Sequence, residues 1–184
     1  MEKIVFLLVG PRAAGKSSYG MNLLKQHSDI KGISRDEILL RLFGSEHCNP
    51  YDGTSWYAHE IMKRLIKQRL KVDADVKLIL DSWTGSSEER KAIIKQLRVY
   101  GATQVVALYF TSSVEDVTAW FWGKPGIAKM QTMAENQGKG LVFYSEDAPK
   151  RDYESFHKYA SNIEKDGFDE IIKVNPKEKL ISLK

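Results

Sequence analysis

The sequence predicts an α/β protein, a parallel sheet with helices on both faces. Three observations carry that expectation. Short β-branched and aliphatic runs alternate with helical stretches along the chain. The first run, Ile4–Val9, is apolar at every position, as a strand covered on both faces must be. It passes directly into Gly10-Pro11-Arg12-Ala13-Ala14-Gly15-Lys16-Ser17, a glycine-punctuated turn that joins a strand to a helix.

Beyond that turn, Lys16–Gln26 reads as a helix with Tyr19, Leu23 and Leu24 on one side. Lys31-Gly32-Ile33 is a candidate for a short strand. Ser34-Arg35-Asp36-Glu37 has the S-x-x-E spacing of a capping box and opens a helix through about Leu42. Gly44–Ser55, with Asn49-Pro50 and Asp52-Gly53, reads as a loop. The helix that follows, roughly Trp56–Lys71, is expected to bury Ile61, Leu65, Met62 and Leu70. Val76–Leu80 is a strand that ends at Asp81, and Ser86-Ser87-Glu88-Glu89 is a second capping box starting a helix to about Tyr100. Gln104–Phe110 is a strand, Val114–Trp122 a helix, Asp152–Lys165 a helix and Glu170–Val174 the last strand. Gly123–Gly140, with four glycines and a proline among polar residues, reads as a mobile segment with some helix inside it. Right-handed crossovers then gather the strand C-termini on one edge, where ligands bind in open α/β sheets.

A chain of 184 residues fits one domain, residues 1–184. With 42% apolar and 28% charged residues it has the make-up of a globular protein, which argues against disorder. No apolar run approaches the roughly 18 residues of a membrane span, and the apolar start is too short for a signal peptide. Cys48 is the only cysteine, so neither an intramolecular disulfide nor a thiolate zinc site is available, and a cytoplasmic location without a membrane partner is expected. The net charge of +4 is compatible with a nucleotide or nucleic-acid substrate and decides nothing alone.

The glycine turn has a defined chemistry. Gly10, Arg12, Ala13, Ala14, Gly15, Lys16, Ser17 and Ser18 would present main-chain N–H groups to anionic oxygens, with the positive end of the following helix beneath them. Lys16 would reach the β- and γ-phosphates of ATP and the Ser17 hydroxyl would ligate Mg²⁺. Asp36, in the first turn of a helix, is either a proton acceptor for an attacking hydroxyl or a residue that favours the helix dipole. Asp81, at a strand end, suits a role in holding Mg²⁺ or its water shell, or lining the acceptor site, against the alternative of a plain turn aspartate.

The set Gly10–Ser17, Ser34-Arg35-Asp36, Leu80-Asp81-Ser82 and Glu164-Lys165-Asp166-Gly167-Phe168-Asp169-Glu170-Ile171-Ile172 resembles, in order and spacing, the P-loop kinase domain of phage-type polynucleotide 5′-kinases. The resemblance runs over nearly the whole chain. It implies a three-layer P-loop NTPase fold with a five-stranded parallel sheet and a small lid, about residues 120–145. It further implies transfer of the ATP γ-phosphoryl to an acceptor hydroxyl, foremost a polynucleotide 5′-hydroxyl. Asp36 then matches the general base and Asp81 the aspartate near the acceptor. Two positions depart from the family pattern. Leu39 stands where an acceptor-binding arginine is usual, leaving Arg35 and Arg41 as the nearby guanidinium groups, although Arg41 lies about 200° around the helix from Leu39. The lid has no arginine, so its cations are either Lys124, Lys129 and Lys139 alone or these completed by Arg151.

Trp120-Phe121-Trp122 is either a stacking platform for a base or an anchor for the lid helix in the core. Trp56, Tyr57 and Trp83 are candidates for lining an acceptor cleft. His27, His47, His59 and His157 show no metal spacing and read as surface or loop residues. Lys63, Arg64, Lys67, Arg69 and Lys71 form a basic stripe, either a solvated helix face or a contact for a polynucleotide backbone. Rival acceptors are a small nucleoside, sugar or nucleotide sugar. A different class of function is an ATP-dependent switch without an acceptor.

Overall fold

A computed structural model describes residues 2–44, 54–82, 84–124, 127 and 144–183. Its centre is an all-parallel sheet of five strands in the order β2-β3-β1-β4-β5. β1 (Lys3–Val9) lies between β3 (Val76–Asp81) and β4 (Gln104–Phe110), while β2 (Ile30–Ser34) and β5 (Glu170–Val174) form the edges. Leu7 of β1 pairs with Leu80 of β3 on one side and Ala107 of β4 on the other. The central place of β1 follows from its composition: all six residues from Ile4 to Val9 are buried, which only an interior strand allows.

Side chains alternate between two cores, as the period of two dictates. Val5, Leu7 and Val9 face one layer, made by α3 (Thr54–Val72), α4 (Ser87–Tyr100) and α6 (Ala148–Ala160). Ile4, Phe6 and Leu8 face the other, built by α1 (Lys16–Gln26) and α5 (Val114–Trp122). α2 (Arg35–Phe43) packs on α3 at the β2 edge. The result is the three-layer α/β arrangement expected from the sequence. Among the described residues no helix is long and apolar enough to cross a membrane.

Three local expectations are corrected. In α3 the buried line is Ala58, Met62, Ile66 and Leu70, whereas Leu65 is 39% exposed and Ile61 half-buried. Spacing by four keeps those residues on one face, and Leu65 lies at its margin against the groove between α2 and β2. The expected helix at Asp152–Lys165 begins four residues earlier, because Pro149 sits in its first turn, where a missing N–H costs nothing. It stops at Ala160, and Ile163–Lys165 is a separate 3₁₀ turn. Finally, only the second capping box is complete. Ser86 and Glu89 satisfy each other's N–H, but Glu37 turns away from Ser34 to accept from Arg41 at 2.6 Å.

The sequence gives no direct sign of the buried ion pair that ties the sheet's far layer together. Arg90 of α4 is fully buried, and its Nε donates to Asp166 at 2.5 Å. Nη1 donates to the carbonyls of Thr84 and Gly85 at 3.0 and 3.2 Å, and Nη2 to that of Tyr159 at 3.0 Å. One guanidinium therefore joins the loop after β3, the end of α6 and the approach to β5.

Candidate active site

The turn after β1 has the backbone of an anion nest. Ala13 adopts a left-handed φ of 62° and Gly15 one of 83°, so the main chain curls where a phosphate would sit. A non-glycine residue in that region is held there by its surroundings: Ala13 and Ala14 are buried, and Ser112 at the end of β4 donates its hydroxyl to the Ala14 carbonyl at 3.0 Å. Gly10 is dictated by packing. A Cβ there would stand 2.8 Å from that of Phe110 on β4.

Lys16 folds back over this nest, donating from Nζ to the carbonyls of Gly10 at 3.0 Å and Pro11 at 2.7 Å. Burial lowers its pKa to about 8, only partly offset by Asp81 and Asp36, while Lys124 and Arg12 lower it further. Beside it, the Ser17 hydroxyl donates to Asp81 Oδ2 at 2.5 Å. Burial raises the Asp81 pKa, against the pull of Ser17 and Lys16. This pairing depends on topology, since Asp81 reaches the P-loop only because β3 lies beside β1. A hydroxyl and a carboxylate next to an anion nest are the hard oxygen donors that fit Mg²⁺. Among the described residues no group of three or more His, Cys, Asp or Glu could hold a metal, so such an ion would complete its shell from phosphate and water.

Asp36 is placed by the first turn of α2, at the end of β2. Arg35 Nε and Nη2 both donate to its Oδ1, at 3.2 and 3.0 Å, leaving Oδ2 open among the described residues. Its charge and that of Lys124, within the expected lid, are both felt at Lys16 and Asp81. The structure thus brings together Lys16, Ser17, Asp36, Asp81, Arg35, Arg12 and Lys124. Arg41 is not among them. It is 76% exposed, paired with Glu37, and lines the groove of Gly32, Ile33, Ser34, Ile38 and Leu65 on the other side of α2. Leu39 is fully buried in the core. Trp83, Lys129 and Lys139, like most of the expected lid, lie outside the described residues.

Several contacts around the site carry no signal in the sequence. Arg12 Nη2 donates to the Tyr144 hydroxyl at 3.0 Å, and its guanidinium lies 5.1 Å from that ring's centroid and 5.5 Å from that of Phe121. Phe121 itself is fully buried, so at least this ring of the Trp120-Phe121-Trp122 run is an anchor. Trp120 and Pro176 flank Gly15, within 3.5 and 3.3 Å of where a Cβ would stand. Two histidines also depart from a plain surface reading. His59 is half-buried within the field of Arg35, and His157 has a buried Nε2 without a hydrogen-bond partner among the described residues.

A family model described as AAA domain matches residues 5–126, which includes the P-loop, Asp36 and Asp81. No curated protein matches the sequence. Among solved structures, the chain is similar to one in the Pnkp1/Rnl/Hen1 complex, with 19% identity, a TM-score of 0.53, and 62% of this chain and 38% of that chain covered. It is also similar to a chain of the Pnkp1/Rnl/Hen1 RNA repair complex, with 15% identity, a TM-score of 0.61, and 88% and 47% covered. A fungal RNA kinase matches at 15% identity with a TM-score of 0.54, covering 98% of this chain and 76% of that one. The chain spans less than half the length of the first two. At these identities the likeness is one of fold, and it is the kinase-like P-loop fold that the sequence resemblance implied.

Proposed function

The chain belongs to the AAA-domain family of P-loop proteins, and from that premise we propose that it is an ATP-dependent phosphotransferase whose acceptor is a polynucleotide 5′-hydroxyl. One observation carries the kinase reading: an open carboxylate oxygen, Asp36 Oδ2, shares the electrostatic neighbourhood of the Lys16 ammonium and the Ser17–Asp81 pair. A nucleotide switch needs the last three groups and has no use for the first. The polynucleotide acceptor is supported by the resemblance over the chain and by the RNA kinase and RNA repair structures that share its fold.

In this reading the nest of Gly10–Ser18 holds the phosphates, and Lys16 exchanges its bonds to the Gly10 and Pro11 carbonyls for the β- and γ-phosphoryl oxygens. Ser17 and Asp81 would hold Mg²⁺, which would supply neutralising charge to the phosphates. Arg35 fixes the Asp36 carboxyl by two bonds to Oδ1, so Oδ2 takes the proton of the acceptor hydroxyl. The acceptor oxygen bonds to the γ-phosphorus as the bond to the β–γ bridging oxygen breaks, and ADP leaves. Lys124 and Lys129 supply the lid's positive charge. The lid, in about residues 120–145, excludes water so that transfer outruns hydrolysis.

Labelled ATP offered with a 5′-hydroxyl oligonucleotide, a pool of nucleosides and sugars, or no acceptor separates the alternatives. A labelled oligonucleotide is expected. Label in a small metabolite alone would move the acceptor class, and free phosphate alone would favour a switch. Asp36→Asn should lose transfer by about 10²-fold or more, the scale of general-base catalysis, and still bind ATP. Full turnover in that variant removes Asp36 from the mechanism.

A further inference from the structure

α3 by itself matches the chain's entire charge imbalance. The formal net charge is +4, and between Thr54 and Val72 five cations face one carboxylate, Glu60. Lys63 pairs with Glu60, and Arg69 lies 3.9 Å from Asp73. Arg64, Lys67 and Lys71 are exposed and form no ion pair among the described residues. Their i, i+3, i+7 spacing puts all three within an arc of about 60°, along about 10 Å of helix. Tyr57 continues the same line toward the helix N-terminus. It is 52% exposed and meets the edge of Phe43, itself 45% exposed, beside Trp56 at 67%.

The line has a direction. α3 passes into β3 within four residues, so its C-terminus lies at the edge of the sheet away from the site. Its N-terminal turns lie toward the site, where His59 feels the charge of Arg35. We infer that this face of α3 is a track for a single-stranded polynucleotide: bases stack on Phe43, Trp56 and Tyr57 near the site, and the backbone phosphates run along Arg64, Lys67 and Lys71. The inference rests on the polynucleotide reading of the acceptor. Aromatic faces beside a row of unpaired cations are what a sequence-tolerant single-strand binder uses. A lipid surface matches poorly. A membrane-bound helix inserts its apolar face, and that of α3, Ala58, Met62, Ile66 and Leu70, is spent on the core.

The test compares the wild-type protein with Arg64→Gln/Lys67→Gln/Lys71→Gln and with Trp56→Ala/Tyr57→Ala, after melting curves establish that each folds. Binding of a fluorescent single strand of about 20 nucleotides is followed against salt. Three phosphate contacts give a salt slope steeper by about 2, so between about 50 and 200 mM salt the wild type loses about 20-fold more affinity than the glutamine variant. The aromatic variant should weaken binding about tenfold with an unchanged slope. In kinetics, the wild-type preference for the long strand over a dinucleotide should collapse in the glutamine variant. Equal slopes in wild type and glutamine variant overturn the track, as does binding of anionic vesicles in place of the strand. A wild type that phosphorylates dinucleotide and long strand equally well overturns the track alone. Failure to phosphorylate any nucleic acid removes the acceptor reading and takes the track with it.

Discussion

Replacing Arg90 by methionine isolates the cost of the buried ion pair. The substitution keeps most of the side chain's length and removes the guanidinium, stranding the Asp166 carboxylate and leaving the carbonyls of Thr84, Gly85 and Tyr159 without that donor. Both charged side chains are completely buried, so water cannot take over. Removing one partner of such a pair costs about 3–5 kcal/mol. With an unfolding entropy of about 2.1 cal/mol/K per residue, a chain of 184 residues converts that loss into a melting point lower by about 8–13 °C. Arg90→Met/Asp166→Leu removes the stranded charge as well and should recover part of the loss, the remainder reflecting the carbonyls that have lost their donor. Thermal and urea melts of wild type, both single variants and the double variant close the cycle. A melting point of Arg90→Met within about 2 °C of wild type, or single losses that simply add, would refute the reasoning.

Lys16 makes nucleotide affinity depend on pH. Its pKa is about 8 in the free protein, and phosphates favour the charged form, so affinity for ATP should be full below pH 8 and fall about tenfold per unit above it, with proton uptake on binding. Titration calorimetry in two buffers of different ionisation enthalpy reads this directly, and a constant affinity up to pH 9.5 would count against the buried ammonium. His157, whose pKa burial lowers, takes its proton more readily in the unfolded chain. Its contribution to stability is therefore complete above about pH 6.5 and lost as pH falls toward its folded value, and His157→Asn should flatten that part of the curve in urea melts. Gly10→Ala forces a Cβ into that of Phe110 and should cost about 1–3 kcal/mol by thermal melting, with a matching loss of nucleotide affinity, since the nest hangs from that residue. A variant as stable as the wild type would show that β1 and β4 can part without cost.

What the sequence discloses follows the range of the interactions. β4, β5, α1 and α5 agree with their expected bounds, because each is set by local periodicity and by turn residues at its ends. Lys16, Asp36 and Asp81 are legible one by one as residues at strand and helix ends. Their meeting is a fact of strand order, which no short window contains. Arg41 illustrates the reverse case: helix geometry alone turns it away from Leu39, and the structure pairs it with Glu37. Arg90 looks like a solvated residue in the first turns of a capped helix. Its one sign was spacing, since it shares a face with Ile94 and Leu97. Tyr144 and Arg12 are 132 positions apart, and their hydrogen bond leaves no pattern to read.

Strand order also divides the candidate site mechanically. The anion nest hangs from β1, clamped by a ladder on each flank, while Asp36 follows β2, an edge strand bonded to β3 alone. Of the two reacting partners, then, one would rest on the stiffest beam in the molecule and the other on a cantilever. If the proposed reaction holds, the gap between them would be the part that bending of a single outer strand could alter, leaving the seat of the nucleotide undisturbed.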